Sequence, residues 1–223
     1  MNIQCVLFDL DGTLLDTSYD FTFALNQTCR HYNAPALHYQ TVRQVVSQGG
    51  LAMTQLAFPG LAGAELEARR AHFLDIYAAH IAEHTQLFPG LAPALTHITQ
   101  QSIPWGIVTN KPTWLTEKLM DQLDLPQPHT LVCGDTLPTR KPDPDPLWLA
   151  AEACGCPPKQ CMYIGDHPRD IEAGRNAGML TGAALFGYLP PGADDAAWPA
   201  DVFFETPIEL TRFLCQQLSK GAL

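Results

Sequence analysis

The stretch that most constrains this chain is Cys5-Val6-Leu7-Phe8-Asp9-Leu10-Asp11-Gly12-Thr13-Leu14-Leu15-Asp16-Thr17. Four apolar residues in a row, bounded by turn residues, predict a strand buried on both faces, as parallel sheets require. Such a strand should end in water, yet this one runs into two carboxylates, Asp9 and Asp11. Alternation would aim both the same way, but Gly12 suggests that the chain is already turning. Two acids crowded at the end of a buried strand repel each other, so a cation is expected beside them. Hard oxygen donors suit magnesium.

Beyond Thr17 the spacing becomes helical: Phe21, Ala24 and Leu25, then Val42, Val45 and Val46, then Leu66, Phe73, Leu74, Ile76 and Tyr77. Only helices are expected from about Ser18 to about Thr85, with breaks at Ala34-Pro35, Gln48-Gly49-Gly50 and Phe58-Pro59-Gly60. Strands then alternate with helices. Strands are predicted at 103–108, 130–134, 160–165 and 180–186, with a short edge strand at 201–204. Helices are predicted at 91–100, 113–123, 142–154 and 207–218, and a surface loop over 187–199. This pattern implies right-handed crossovers and an α/β, doubly wound parallel sheet with an all-helical insert. The expected domains are a core of 1–16 and 86–223 and an insert of 17–85.

Bulk properties narrow the function classes. A chain of 223 residues allows one or two domains and a sizeable core. A net charge of -10 argues against a nucleic-acid partner. No secretory leader pattern and no long apolar run occurs, so no membrane partner and a cytoplasmic location are expected. Seven scattered cysteines in a core-rich chain predict reduced thiols.

Ligands of open α/β sheets bind beyond the carboxyl ends of the strands. The polar residues at those ends are Asp9 and Asp11, Thr109 and Asn110, and Asp166 with Asp170; Lys141 precedes a helix on the same rim. A hydroxyl, an ammonium and four carboxylates are what phosphoryl transfer requires.

The run D-x-D-G-T-L-x-D-[ST], followed by Thr109, Lys141 and Gly165-Asp166-x-x-x-Asp170, resembles the haloacid dehalogenase-like superfamily of aspartate-nucleophile phosphatases. The resemblance implies a Rossmann-like core with a helical cap of the first type inserted after the nucleophile loop. It implies Asp9 as nucleophile, Asp11 as general acid and base, and Thr109 and Asn110 as phosphate-binding residues. Lys141 would offset charge. Magnesium would be held by Asp9, Asp166 and the backbone carbonyl of Asp11, with Asp170 as an indirect partner. An intact Asp11 argues for a phosphoester rather than a halide leaving group.

Over nearly its full length the chain resembles bacterial phosphoglycolate phosphatases, on Leu87-Phe88-Pro89-Gly90, 105–112 and 169–174. A sister group with similar motifs hydrolyses N-acetylmuramic acid 6-phosphate in cell-wall recycling. The expected substrate is a small phosphorylated metabolite, 2-phosphoglycolate first and N-acetylmuramic acid 6-phosphate as the alternative. The expected enzyme is a monomer or homodimer. A sugar phosphomutase would share the core motifs, though Thr13 after Gly12 leans towards the phosphatases. A non-catalytic module would not need all four motifs intact.

The insert break at Ser47-Gln48-Gly49-Gly50 is the candidate substrate contact, because glycines let backbone amides approach a ligand and Ser47 and Gln48 offer uncharged hydrogen bonds. His167, next to Asp166, is a candidate rim residue. His80-Ile81-Ala82-Glu83-His84 fits a zinc-protease pattern in form, but no third ligand is evident. Cys154-Gly155-Cys156 with Cys161 lacks zinc spacing. Trp105 and Trp148 are expected in the core.

Overall fold

The computed structural model describes residues 2–189 and 198–218, so the loop expected over 187–199 lies partly outside them. Strand β1 (Cys5–Phe8) is wholly buried and sits near the middle of the main sheet. Its alternation divides the interior in two. Val6 and Phe8 join a cluster with Trp105, Ile107, Met162 and Ile164, while Cys5 and Leu7 join Val108, Val132, Leu147 and Tyr163. Each fully buried side chain of this size contributes about 1.5–3 kcal/mol, so no residue of β1 can become polar cheaply.

The other strands of that sheet are β4 (Trp105–Val108), β5 (Thr130–Val132), β6 (Cys161–Gly165), β7 (Leu180–Ala184) and β8 (Val202–Phe204). All pair in parallel, in the order β5-β4-β1-β6-β7-β8. The order reverses beside β1, which opens a crevice at its carboxyl end. The crossover helices are α5 (Ala92–Gln100), α6 (Thr113–Met120), α7 (Asp145–Ala153) and α8 (Pro168–Asn176), and α9 (Pro207–Gln217) follows the last strand. Helix α7 begins three residues later than the expected 142, because Pro142 and Pro144 keep the chain out of a helical ladder until Pro144 caps it. Trp148 corrects another expectation: it is 45 % exposed, its indole NH donating to the Ala177 carbonyl at 3.2 Å. Trp105 is buried.

A second sheet was not foreseen. Strands β2 (Leu15–Asp16) and β3 (Gln86–Leu87) form an antiparallel ribbon, Leu15 opposite Leu87 and Asp16 opposite Gln86. Between them lie α1 (Ser18–His31), α2 (Tyr39–Arg43), a 3-10 turn at Val46–Gln48, α3 (Gly50–Ala57) and α4 (Gly63–Ala79). The two ends of this helical segment are tied together by buried Asp20 of α1. Its carboxylate accepts from the backbone NH of His84 at 2.9 Å and of Thr85 at 3.0 Å. Phe21 of α1 stacks on Tyr77 of α4, ring centroids 3.9 Å apart. Among the described residues no helix is long and apolar enough to cross a membrane.

Candidate active site

Asp9 follows β1 directly and its backbone NH still donates to the Ile164 carbonyl of β6, so the sheet itself fixes its position. The chain then turns: the Leu10 carbonyl accepts from the NH groups of Leu14 and Leu15, with Gly12 at a φ of 88°. A Cβ on Gly12 would run into the Asp166 carboxylate, so glycine is needed there for space as well as for the turn.

The turn sends Asp9 and Asp11 to different partners. Asp9 Oδ1 accepts from the Leu10 NH at 2.7 Å and pairs with Lys141 Nζ at 2.9 Å. Asp11 accepts from Thr17 Oγ1 at 2.7 Å and from Lys111 Nζ at 3.1 and 3.3 Å. Asp9 is buried, and burial raises its carboxyl above the ordinary range against the pull of Lys141.

Asp9, Asp166 and Asp170 form one buried acidic cluster, with an oxygen of each within 4.8 Å of the others. Lys141 is shared by two of the three, 2.9 Å from Asp9 and 2.8 Å from Asp170. Its ammonium also donates to the Val108 carbonyl at 2.9 Å and the Tyr163 hydroxyl at 2.7 Å. Burial works against the charge on Asp170, but Lys141 and then Arg169 outweigh it and hold the carboxyl below its usual value. Both Asp170 oxygens are occupied, Oδ1 by Lys141 and Oδ2 by the His167 NH at 3.1 Å.

Asp166 is the uncompensated member. Among the described residues no ion pair reaches it. Its Oδ2 accepts from the Tyr188 NH at 2.7 Å and from Ser47 Oγ at 2.8 Å. Burial, then the charges of Asp9 and Asp170, push its carboxyl up to about 7. Three buried carboxylates with one ammonium between two of them fit a hard divalent cation at Asp9 and Asp166.

The cluster adjoins a cavity of about 600 Å3. Asp9, Asp11, Thr109, Asn110 and Lys141 line it from the strand ends, and Ser47, Gln48 and Gly49 line it from the helical segment. Thr109 Oγ1 accepts from the Lys111 NH at 3.2 Å, and Asn110 Nδ2 donates to the Lys141 carbonyl at 3.0 Å. Gly49 sits at a φ of 91°, a conformation other residues rarely adopt. The structure thus brings together every strand-end residue singled out in the sequence and the insert loop.

His167 is placed elsewhere. It is not among the cavity-lining residues; it caps α8, its ring Nδ1 accepting from the Arg169 NH at 3.3 Å. Burial, then nearby Arg169, lowers its imidazole to about 4, which keeps Nδ1 an acceptor. In the pattern 80–84, His80 pairs with Glu83 at 2.7 Å and His84 with Asp20 at 3.2 Å.

Several contributing residues escaped the sequence reading. Arg169, one residue before Asp170, donates to the Ser47 carbonyl and lines the cavity. Arg70, held by Glu67 at 2.7 Å on α4, also lines it. Tyr188 bridges the cluster to the start of the insert. Its NH reaches Asp166, while its hydroxyl donates to Asp16 at 2.6 Å and accepts from the Thr17 NH at 2.7 Å. Lys111 was visible beside Thr109 and Asn110, but its partners were not.

The family model described as haloacid dehalogenase-like hydrolase matches residues 6–184. The N-acetylmuramic acid 6-phosphate phosphatase of Pseudomonas aeruginosa is 42% identical, over 98% of this chain and 97% of that protein. The phosphoglycolate phosphatase of Xanthomonas campestris pv. campestris is 43% identical, over 93% and 94%. Among solved structures, one described as a predicted phosphoglycolate phosphatase from Haemophilus somnus superposes with a TM-score of 0.80 at 24% identity. That match covers 96% of this chain and 98% of the other, and it supports the fold alone.

Proposed function

Because the chain belongs to the haloacid dehalogenase-like hydrolase family and is one of its phosphatases, we propose that it cleaves phosphomonoesters with Asp9 as the nucleophile. The observation that carries this reading is the Asp9 carboxylate itself. It is buried, fixed by the Leu10 NH and by Lys141, and borders a cavity lined by Thr109 and Asn110. Asp9 attacks phosphorus in line, the ester P–O bond breaks, and an aspartyl-phosphate forms. Asp11 gives its proton to the departing alkoxide, then takes one from the water that cleaves the intermediate. Thr109 and Asn110 hold the phosphoryl oxygens, and Lys141 offsets their charge.

Asp9, Asp166 and the Asp11 carbonyl would hold magnesium. Bound there, the ion supplies Lewis-acid neutralisation of the phosphoryl charge. Asp170 keeps Lys141 in place. The helical segment 17–85 acts as a cap over the core formed by 1–16 and 86–223, excluding water and presenting Ser47, Gln48 and Gly49 to the rest of the substrate.

The substrate is a small phosphorylated metabolite. 2-Phosphoglycolate comes first, on the names of several relatives and on three arginines at the cavity (Arg70, Arg140 and Arg169) that suit a carboxylate. N-Acetylmuramic acid 6-phosphate, which also carries a carboxylate, is the alternative. The cavity volume favours it: about 600 Å3, walled in part by Val46, Met53, Leu74 and Leu115, is on the scale of a ligand much larger than glycolate.

The test is phosphate release from a panel containing both compounds, glucose 6-phosphate and 4-nitrophenyl phosphate, with magnesium or with excess chelator. A clear preference in kcat/KM for one carboxylated compound, lost in chelator, is expected. No hydrolysis of any phosphomonoester would refute the reading.

A further inference from the structure

Lys111 has no task in the reaction described above, yet it is buried beside the reacting groups. Burial lowers its ammonium below the ordinary lysine range, against the opposing charge of Asp11. Nζ lies 3.1 and 3.3 Å from the two Asp11 oxygens and 2.9 Å from the Tyr77 hydroxyl. Two rings flank it, with centroids at 4.4 Å for Phe21 and 4.6 Å for Tyr77. Lys111 and Asp11 come from the loops after β4 and β1, whereas Phe21 and Tyr77 come from α1 and α4. The ammonium is therefore the joint between the Asp11 carboxylate and the helical segment.

On the phosphatase reading, Asp11 must meet two demands. Its carboxyl has to face the leaving oxygen, and the charge it acquires on losing its proton has to be offset. Thr17 Oγ1 fixes one oxygen at 2.7 Å, and Lys111 reaches both. We infer that Lys111 is a positioning residue that aims and offsets the Asp11 carboxyl, and that Tyr77 and Phe21 of the helical segment hold it to that task.

With the segment docked, the ammonium has one carboxylate, one hydroxyl and two ring faces around it, and its pull on Asp11 is little screened. With the segment swung away it would be hydrated, and that pull would fall. Acid catalysis is thereby tied to closure over the substrate. The protons balance without Lys111 titrating. The alkoxide takes the Asp11 proton as the P–O bond breaks. The carboxylate left behind sits against the ammonium, and the hydrolytic water returns a proton to Asp11 when the aspartyl-phosphate is cleaved.

A structural lysine would slow all substrates alike; a residue acting through Asp11 would not. The discriminating quantity is kcat/KM, which reports the steps up to alcohol release, on 4-nitrophenyl phosphate and on the best alkyl phosphomonoester of the panel. Nitrophenolate departs without a proton. Lys111→Met should lower the alkyl value by about 10²-fold and the aryl value by about a tenth of that factor. Tyr77→Phe, which removes only the hydroxyl, should shift the ratio in the same direction by about 3-fold.

Equal losses on both substrates in Lys111→Met would overturn the inference. If that variant does not fold, an unchanged ratio in Tyr77→Phe overturns it. Asp11→Asn, run in parallel, separates the two levels. A leaving-group bias in Asp11→Asn that is missing from both other variants refutes the role of Lys111 alone. No bias in Asp11→Asn refutes the acid itself, and this inference with it.

Discussion

The Ser47 hydroxyl donates to Asp166 Oδ2 at 2.8 Å, although 119 residues separate the two in the chain. The same residue takes Arg169 on its backbone carbonyl. One short turn between helices therefore touches the end of β6 at Asp166 and the first turn of α8 at Arg169. Hydrogen bonds to charged groups contribute about 1.5–3 kcal/mol, so Ser47→Ala should destabilise the metal-free protein by that order at pH 8. At pH 6, where Asp166 is largely protonated, the loss should shrink. Denaturant unfolding at the two pH values checks both statements.

Gln48 lines the cavity next to Ser47 and Gly49. Gln48→Ala should lower kcat/KM on the preferred metabolite by about 10-fold, and by several-fold less on 4-nitrophenyl phosphate, which leaves the insert little to recognise. Losses of equal size would place Gln48 in folding or in the chemical step.

The raised carboxyl of Asp166 predicts a pH-dependent response to metal. A folded value of about 7 against 3.8 gives a stabilising contribution that is complete below 3.8 and is lost as pH rises through about 7. A bound cation replaces that proton and so gains affinity as pH rises. Magnesium should raise Tm more at pH 8 than at pH 6. An equal rise at both values, or none, would count against Asp166 as a ligand.

Lys141 lies between two buried carboxylates. Lys141→Met leaves both without their partner, which should cost about 3–5 kcal/mol in denaturant unfolding, with loss of turnover. Adding Asp170→Asn should recover part of the stability and none of the activity. Recovery of activity would show that Lys141 acts only by neutralising Asp170.

His167 should prove a helix cap. His167→Asn preserves a capping side chain and should keep both Tm and kcat/KM close to the parent, whereas His167→Ala should lose about 1 kcal/mol. The depressed imidazole contributes stability that is present above 6.5 and is lost as pH falls through about 4; His167→Asn should remove that part of the acid-side loss. A large fall in turnover in His167→Asn would return the residue to the site.

What the sequence disclosed was local. β1, the ends of β4 and β6, and the loop at 47–50 each announce themselves by an apolar run or helix break followed by polar residues. The β2–β3 ribbon does not, because Leu15-Asp16 and Gln86-Leu87 are too short for any alternation and pair only across the whole helical segment. Lys111, Tyr77 and Arg169 stayed hidden for a related reason. Their residue types were in plain view, but their partners lie on other elements: the docking of α1 and α4 brings Phe21 and Tyr77 to Lys111, and the turn at Val46–Gln48 brings Ser47 to Arg169. Trp148 misled because a large aromatic on an amphipathic helix reads as core, while here Leu147 beside it takes the buried face.

If Asp9 attacks phosphorus, Asp9→Asn should abolish turnover without unfolding the protein. The substitution is close in shape but removes the nucleophile and one charge of the acidic cluster. Purified beside the parent, Asp9→Asn should unfold cooperatively at a comparable Tm and release no phosphate above background from any compound that the parent hydrolyses. Turnover by a folded Asp9→Asn protein, at a rate beyond contamination, would show that Asp9 is not the nucleophile.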